Sequence, residues 1–260
     1  MEERTISLRD GMFQTSLYQA GSGDPLLFLH GSPGLRQGPY LEQLAEQFTV
    51  YAPLHPGVGE STGLDHIDDI VDLALYYYDL MDELGLESAH VVGHSLGGML
   101  GAEMAALCPH RVRRLVLTNP VGLWRDEEPV LDFFTLSAEQ LLPYIVHDVE
   151  SETVKQAFAR PDSPDAMMEG MFQRMQALTA AGKFLWPIPD KGLKRRIHRI
   201  QAPTLILWGE SDRLVPPSYA EDFRSRIRDS RVVILKECAH LPMIEKPDEF
   251  VSVVAEFLNG

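Results

Sequence analysis

The sequence is poor in cysteine and in basic residues. Its 260 residues include two cysteines, Cys108 and Cys238, which lie far apart and form no C-x-x-C pair, so reduced, partly buried thiols are expected. Lys and Arg total 23 against 38 Asp and Glu, a formal net charge of -15. Binding to nucleic acid requires a basic surface stripe, and docking on anionic lipid requires positive charge, so neither partner is expected.

Long apolar runs and metal-binding motifs are also missing. No apolar run approaches the roughly 18 residues that a membrane span requires. The charged N-terminus, MEERTISLRD, lacks the apolar core of a signal peptide, and we expect a cytoplasmic protein with no membrane partner. Since no H-E-x-x-H motif or carboxylate cluster occurs, no metal and no cofactor are expected.

Short apolar runs alternate with helical patterns from residue 25 onward. Runs that end at Gly, Pro or polar residues predict buried parallel strands at 25–30, 48–54, 89–95, 113–119, 203–210 and 231–237. Apolar spacing of three and four predicts helices at 35–47, 66–84, 96–107 and near the C-terminus. This alternation predicts an α/β fold with a mostly parallel sheet flanked by helices. The first twenty residues resemble a hairpin, which predicts an antiparallel edge.

Residues 121–199 break this rhythm. They contain a cluster of aromatic and methionine side chains but no run rich in β-branched residues. We interpret 121–199 as an inserted helical cap, with residues 1–120 and 200–260 forming the core. Insertion helices must bury an apolar face, so core packing is the expected role of most of these side chains.

The segment VVGHSLGG places Ser95 between Gly93 and Gly97, where a predicted strand ends and a helix begins. A sharp strand-to-helix turn that exposes a nucleophilic serine accepts only small neighbours. The backbone N–H of Leu96, at the start of the helix, would face a developing oxyanion. The simpler alternative is that Ser95 only caps the helix.

A carboxylate and a histidine follow at the ends of the last two predicted strands. Asp212 lies after the strand at 203–210 and His240 after the strand at 231–237. The carboxyl ends of parallel strands meet at one edge of a sheet, so both residues should approach Ser95. An imidazole can accept the serine proton if a carboxylate holds its tautomer. Glu210 is close enough in sequence to be a rival acid.

The segment LFLHGSPG supplies a second oxyanion donor. Its turn follows a predicted strand at the same edge of the sheet, where the backbone N–H of Ser32 can face that of Leu96. The Ser32–Pro33 bond is a candidate for the cis form. A tight turn with no catalytic role is the alternative.

Taken together, these motifs resemble the α/β-hydrolase superfamily over nearly the whole chain. HGSPG, HPGVGES, GHSLGG, WGESD and AHLPMIEKP are similar to its oxyanion turn, its P-G-x-G-x-S loop, its nucleophile turn, its acid loop and its H-x-P-x-x-E-x-P segment. The resemblance implies an α/β-hydrolase fold and a Ser95, Asp212, His240 triad. It points to the capped branch, which includes carboxylesterases and hydrolases of ring-cleavage products. Many relatives read A-P-D-L-P-G where this chain reads APLHPG, so Leu54 stands in place of an acidic residue and His55 follows it.

The resemblance favours hydrolysis of a small or medium carboxylic ester. Dehalogenases and epoxide hydrolases of this fold use an aspartate nucleophile, and hydrolases of ring-cleavage products often carry a tryptophan soon after the histidine, which this chain lacks. Carbon–carbon hydrolysis of a ring-cleavage dienone is the second hypothesis, and a ligand receptor without catalysis is the third. A dienone hydrolase would need an arginine beside the serine to bind a carboxylate; the candidates in the insertion are Arg125, Arg160 and Arg174.

Overall fold

A computed structural model describes residues 1–159 and 163–260 of the chain. Its strands are β1 (Glu2–Leu8), β2 (Phe13–Ala20), β3 (Asp24–Leu29), β4 (Phe48–Pro53), β5 (Ala89–His94), β6 (Val112–Thr118), β7 (Thr204–Gly209) and β8 (Ser230–Leu235). They form one sheet in the order β1-β2-β4-β3-β5-β6-β7-β8. The pairs β1/β2 and β2/β4 are antiparallel and the other pairs are parallel. The predicted mostly parallel sheet is therefore confirmed, with the antiparallel hairpin at its edge.

The helices are α1 (Pro39–Ala45), α2 (Ile70–Glu83), α3 (Leu96–Leu107), α4 (Ala138–Ile145), α5 (Glu152–Ala157), α6 (Pro164–Leu185), α7 (Tyr219–Arg226), α8 (Pro242–Glu245) and α9 (Pro247–Asn259). Helix α1 is shorter than the predicted 35–47. It starts at Pro39 after an extended Gly38, because proline suits the first helical position, where an N–H has no partner. Within residues 1–159 and 163–260, no helix has both the length and the apolar character needed to cross a membrane.

The helices cover both faces of the sheet. Alternate residues of β3 point to opposite faces: Leu26 and Phe28 pack with α1 and α9, and Leu27 and Leu29 pack with α2 and α3. Both sets are almost fully buried. Since β3 to β8 run parallel, the loops that follow them meet at the carboxyl edge of the sheet.

Helices α4, α5 and α6 lie between β6 and β7. Helix α6 packs on the rest of the protein through its second half, with buried Ala177, Ala180, Ala181, Phe184 and Leu185, while its first half is exposed. The expectation that most aromatic and methionine side chains of this segment are buried is therefore wrong. Phe133 and Phe184 are buried, but Met168 and Phe172 are 67% and 63% exposed, and the other exposed members are Tyr144, Met167, Met171, Met175 and Trp186.

Candidate active site

Ser95 occupies a strained turn between β5 and α3. Its φ of 55° and ψ of -113° are values that residues other than glycine rarely adopt, and its N–H donates to the Thr118 carbonyl at 3.0 Å. A Cβ at Gly93 would overlap the Gly97 carbonyl, and a Cβ at Gly97 would overlap the Leu29 carbonyl. Both glycines are thus required because backbone segments pack directly against this turn. Ser95 itself is 4% exposed.

Asp212 accepts a hydrogen bond from His240 in the loops after β7 and β8. The distance from His240 Nδ1 to Asp212 Oδ2 is 2.8 Å, and the other oxygen accepts from the N–H groups of Leu214 and Val215, each at 2.9 Å. An ionised carboxylate only accepts, so Nδ1 carries the proton and Nε2 keeps a free lone pair. Glu210 is exposed, and among the described residues its side chain makes no hydrogen bond to His240.

Asn119 is a residue of this site that sequence analysis missed. Its Nδ2 donates to Asp212 Oδ2 at 2.7 Å and to the Ala239 carbonyl at 3.3 Å. Asn119 follows β6 directly and has a positive φ of 45°, a conformation that asparagine tolerates better than most residues. The signal that could have revealed it is its place at the carboxyl end of a strand, the same rule that located Asp212 and His240.

The structure brings the loops of Ser95 and His240 together through His94. His94 Nε2 donates to the His240 carbonyl at 2.8 Å, and the two rings lie 4.9 Å apart. No hydrogen bond joins the Ser95 hydroxyl to the His240 ring among the described residues. Serine–imidazole hydrogen bonds in sites without substrate are often long and shorten when substrate binds.

The turn after β3, which the sequence predicts to be an oxyanion turn, is held by the His30 ring. The N–H of His55 donates to His30 Nε2 at 3.0 Å, so His30 Nδ1 carries the proton and donates to the Gly31 carbonyl at 2.8 Å. In a trans peptide the C=O and N–H point in opposite directions, so this bond turns the Ser32 N–H away from the His30 ring. Ser32 N–H makes no hydrogen bond within the described residues, and Leu96 is the first residue of α3, where an N–H has no intrahelical acceptor.

The Ser32–Pro33 peptide bond is trans, so the expectation of a cis bond there is wrong. The cis bond of the described chain is Trp186–Pro187. The peptide bond can stay trans because the hydrogen bonds of the His30 ring already hold the turn at Gly31 and Ser32 in place.

His55 lies in the APLHPG segment, in the loop after β4. Its Nε2 donates to the His30 carbonyl at 2.9 Å, and its Nδ1 accepts from the Tyr77 hydroxyl. The His30 and His55 rings lie 3.8 Å apart. This network ties the loop after β4 to the oxyanion turn after β3 through neutral groups.

The helical segment between β6 and β7 contacts both loops of the pair formed by Asp212 and His240. The His240 N–H donates to the Ile145 carbonyl at 3.0 Å, and the Arg213 N–H donates to the Tyr144 carbonyl at 3.1 Å. The end of α4 therefore helps to position the carboxylate and the imidazole.

The buried histidines make the stability of the fold sensitive to acid. Burial lowers the pKa of His55 to about 4 and that of His94 to about 3, while burial and the neighbouring His55 lower the pKa of His30 well below its usual range. The unfolded chain binds protons at these histidines below about pH 6.5, but the folded chain does not. Their contribution to stability is therefore complete above about pH 6.5 and is lost as the pH falls toward 4.

We expect the free energy of unfolding to be about 2 kcal/mol lower at pH 5 than at pH 7.5 for each of His55 and His94. Urea unfolding at the two pH values measures this difference. His55→Gln should reduce it, whereas His110→Gln, at an exposed position, should leave it unchanged. Equal wild-type stability at pH 5 and pH 7.5 would contradict the assignment of neutral buried rings.

Comparison with known proteins agrees with this architecture. A family model described as the alpha/beta hydrolase fold matches residues 24–247. The chain is 26% identical to the dihydrolipoyllysine-residue acetyltransferase component of the acetoin cleaving system of Cupriavidus necator, over 96% of this chain and 68% of that protein. It is also 26% identical to 2-hydroxy-6-oxo-6-phenylhexa-2,4-dienoate hydrolase of Comamonas testosteroni, over 93% of this chain and 90% of that protein.

An ester-cleaving relative and a solved structure extend the comparison. Lipase 3 of a Moraxella species is 26% identical over 92% of this chain and 78% of its own length. The crystal structure of a meta-cleavage product hydrolase superposes with a TM-score of 0.74 and 25% identity, over 98% of this chain and 97% of that one. The relatives thus include hydrolases of ring-cleavage products and of esters.

Proposed function

The chain belongs to the α/β-hydrolase fold family, and from that premise we propose that it is a serine hydrolase that cleaves a small or medium carboxylic ester through an acyl-enzyme on Ser95. The observation that carries the proposal is the strained Ser95 turn, whose neighbour His94 lies with its ring 4.9 Å from the ring of His240, together with the hydrogen bond from His240 to Asp212 that fixes the His240 tautomer. We assign Ser95, Asp212 and His240 as the catalytic residues and the N–H groups of Ser32 and Leu96 as the oxyanion hole.

In the first half of the proposed reaction, Ser95 Oγ attacks the ester carbonyl and its proton passes to His240 Nε2. The imidazolium that forms is stabilised by Asp212. The carbonyl oxygen gains negative charge, which the N–H groups of Ser32 and Leu96 stabilise by hydrogen bonds. The tetrahedral intermediate then collapses, the bond to the leaving alkoxy group breaks, and His240 returns the proton to the departing alcohol.

In the second half, water repeats the attack on the acyl-enzyme. His240 accepts a proton from water as the oxygen bonds to the acyl carbon, and the same oxyanion hole holds the second intermediate. When the bond to Ser95 breaks, His240 protonates Ser95 Oγ and the carboxylic acid leaves. No step requires a metal or a cofactor.

We propose residues 121–199 as a cap that shapes the substrate pocket, with residues 1–120 and 200–260 as the core. The contacts of Tyr144 and Ile145 with the loops of Asp212 and His240 support this division. The substrate is a small molecule. A cytoplasmic location stays a prediction from the sequence.

Carbon–carbon hydrolysis of a ring-cleavage dienone is the second candidate. The dienoate hydrolase at 26% identity and the meta-cleavage product hydrolase structure favour it. The same oxyanion hole would polarise the ketone of such a substrate, and His240 would move the proton. An arginine that binds a carboxylate beside the serine would suit a dienoate as well as an anionic ester, so relative turnover of the two substrates decides between the candidates.

We expect measurable hydrolysis of short p-nitrophenyl esters and poor turnover of ring-cleavage dienones. Both substrates are assayed on one preparation, and kcat/KM is compared. A dienone kcat/KM that exceeds the value for every ester tried would assign the protein to the second candidate. A protein that turns over neither substrate would favour the third hypothesis, a ligand receptor.

A further inference from the structure

A narrow cavity beside the oxyanion turn contains two arginines. It has a volume of about 70 Å³, and its walls include Gly31 and His94, the neighbours of Ser32 and Ser95 in the chain. A Cβ at Gly31 would lie 3.3 Å from Ser95 Cβ, so this wall adjoins the proposed nucleophile. Arg36, from the loop between β3 and α1, and Arg174, from α6, line the same cavity.

The walls between these charged and catalytic groups are largely apolar. Phe28, Leu141, Ile145, Phe158 and Leu241 line the cavity, and no Asp or Glu is among the lining residues. Such walls suit a short hydrocarbon chain, while the two guanidinium groups suit an anion.

Neither arginine has a carboxylate partner within residues 1–159 and 163–260. Arg36 donates to the Ala157 carbonyl and its Cζ lies 4.3 Å from the centre of the Phe158 ring. Arg174 Nη2 is buried and makes no hydrogen bond. In contrast, many other arginines of this acidic chain pair with Asp or Glu: Arg9, Arg111, Arg113, Arg125, Arg196, Arg224 and Arg226.

The two guanidinium groups lie in an environment that disfavours their charge. Burial lowers the pKa of Arg174, and burial together with the nearby Arg174 charge lowers the pKa of Arg36. Neighbouring groups shield the Arg36 guanidinium from water although part of the side chain is exposed, and Arg36 also lines an adjoining groove, so it lies at the mouth of the cavity. Arg174 is only partly exposed. An anion bound between the two would relieve their repulsion and satisfy the unpaired donor of Arg174.

The other sequence candidates for an anion-binding arginine do not meet these conditions. Arg125 pairs with Asp222 at 2.8 Å and with Glu128 at 3.6 Å, so its charge is already compensated. Arg160 lies outside the residues that the structure describes.

We propose that Arg36 and Arg174 form a carboxylate-binding subsite, so that the substrate carries an anionic carboxylate at the end of a short acyl chain. This inference rests on the proposed function, since it places the carboxylate relative to the carbonyl that Ser95 attacks. Planar guanidinium groups bind carboxylates through paired N–H donors. The size of the cavity selects a short linker, as in a half-ester of a dicarboxylic acid such as succinate or glutarate.

Matched substrates and variants test the subsite. The mono-p-nitrophenyl ester of glutarate carries the carboxylate, and p-nitrophenyl valerate is its neutral counterpart. Wild type should prefer the anionic ester. Arg174→Gln should lower kcat/KM for that ester about tenfold to a hundredfold, the usual strength of a hydrogen bond to a charged group, and change the neutral ester less than threefold. Arg36→Gln should show a smaller loss of the same selectivity, and Arg174→Lys should recover part of it.

Arg125→Gln is the matched control, because it removes another arginine of the same inserted segment whose charge is paired. It should leave the ratio of the two kcat/KM values unchanged. An equal loss on both esters in Arg174→Gln, or no loss on either, would overturn the subsite. Such a result, with neutral esters still hydrolysed, leaves the proposed function intact.

Binding without turnover separates the subsite from the chemistry. In the Ser95→Ala background, glutarate should raise the melting temperature, and adding Arg174→Gln should remove the shift. A shift that persists in the double variant, or no shift with either protein, would overturn the subsite. If no ester is hydrolysed but glutarate binds through Arg174, the proposed ester hydrolysis fails and the subsite stands.

Discussion

Ser95→Ala should lower the hydrolysis rate of p-nitrophenyl esters by about four to six powers of ten while the protein stays folded. Only the hydroxyl group is lost, and the alanine side chain fits the space that the serine side chain occupies. Without a nucleophile, only binding and the oxyanion hole remain, which in serine hydrolases with this triad leave a small residual rate. Steady-state kinetics of the purified variant measure the hydrolysis rate, and circular dichroism measures whether the variant is folded.

A second serine-to-alanine variant controls for effects of substitution and purification that are unrelated to the site. Ser225→Ala removes an exposed hydroxyl on α7, and its activity should equal that of wild type. If Ser95→Ala retained a tenth of the wild-type rate, another nucleophile would have to carry the reaction.

Asp212→Asn should lower kcat by about 10⁴. Four donors converge on this carboxylate: the N–H groups of Leu214 and Val215, Asn119 Nδ2 and His240 Nδ1. An amide at this position would keep its oxygen toward the two backbone N–H groups and direct its own N–H groups at Asn119 Nδ2 and His240 Nδ1. The His240 ring would then lose the acceptor that keeps the proton on Nδ1, and Nε2 would no longer be free to accept the serine proton.

Glu210→Gln provides the comparison, since it changes the rival acid in the same loop. Glu210 is exposed, so we expect a change of less than threefold. The melting temperature of both variants distinguishes loss of catalysis from loss of fold. A larger kinetic effect at Glu210 than at Asp212 would reverse the assignment of the acid.

The sheet and the approximate position of the site could be predicted because local patterns determine them. β-Branched runs that end at Gly or Pro fix the strands, and parallel strands bring Ser95, Asp212 and His240 to one edge. The close packing of Gly93 and Gly97 against backbone carbonyls explains why the G-x-S-x-G pattern is visible in the sequence.

Other features depend on tertiary packing and could not be predicted. The exposed methionine face of α6 arises because only the second half of that helix, from Ala177, packs on the core. The convergence of Arg36 and Arg174, which are far apart in sequence, depends on how α6 packs against the loop between β3 and α1. The hydrogen-bond network of His30, His55 and Tyr77 likewise forms only when the loops after β3 and β4 pack together, and no local sequence pattern specifies that packing.

The most direct test of the central claim is covalent labelling with a fluorophosphonate probe, followed by mass spectrometry of the digested protein. Phosphonylation requires a serine activated as a nucleophile, a role that we propose for His240 and Asp212 in this chain. We predict one label per chain, on the peptide that contains Ser95, with no label in Ser95→Ala and much slower labelling in Asp212→Asn. A folded wild-type protein that takes up no label, or one that carries the label on a different residue, would contradict the assignment of Ser95 as the catalytic nucleophile.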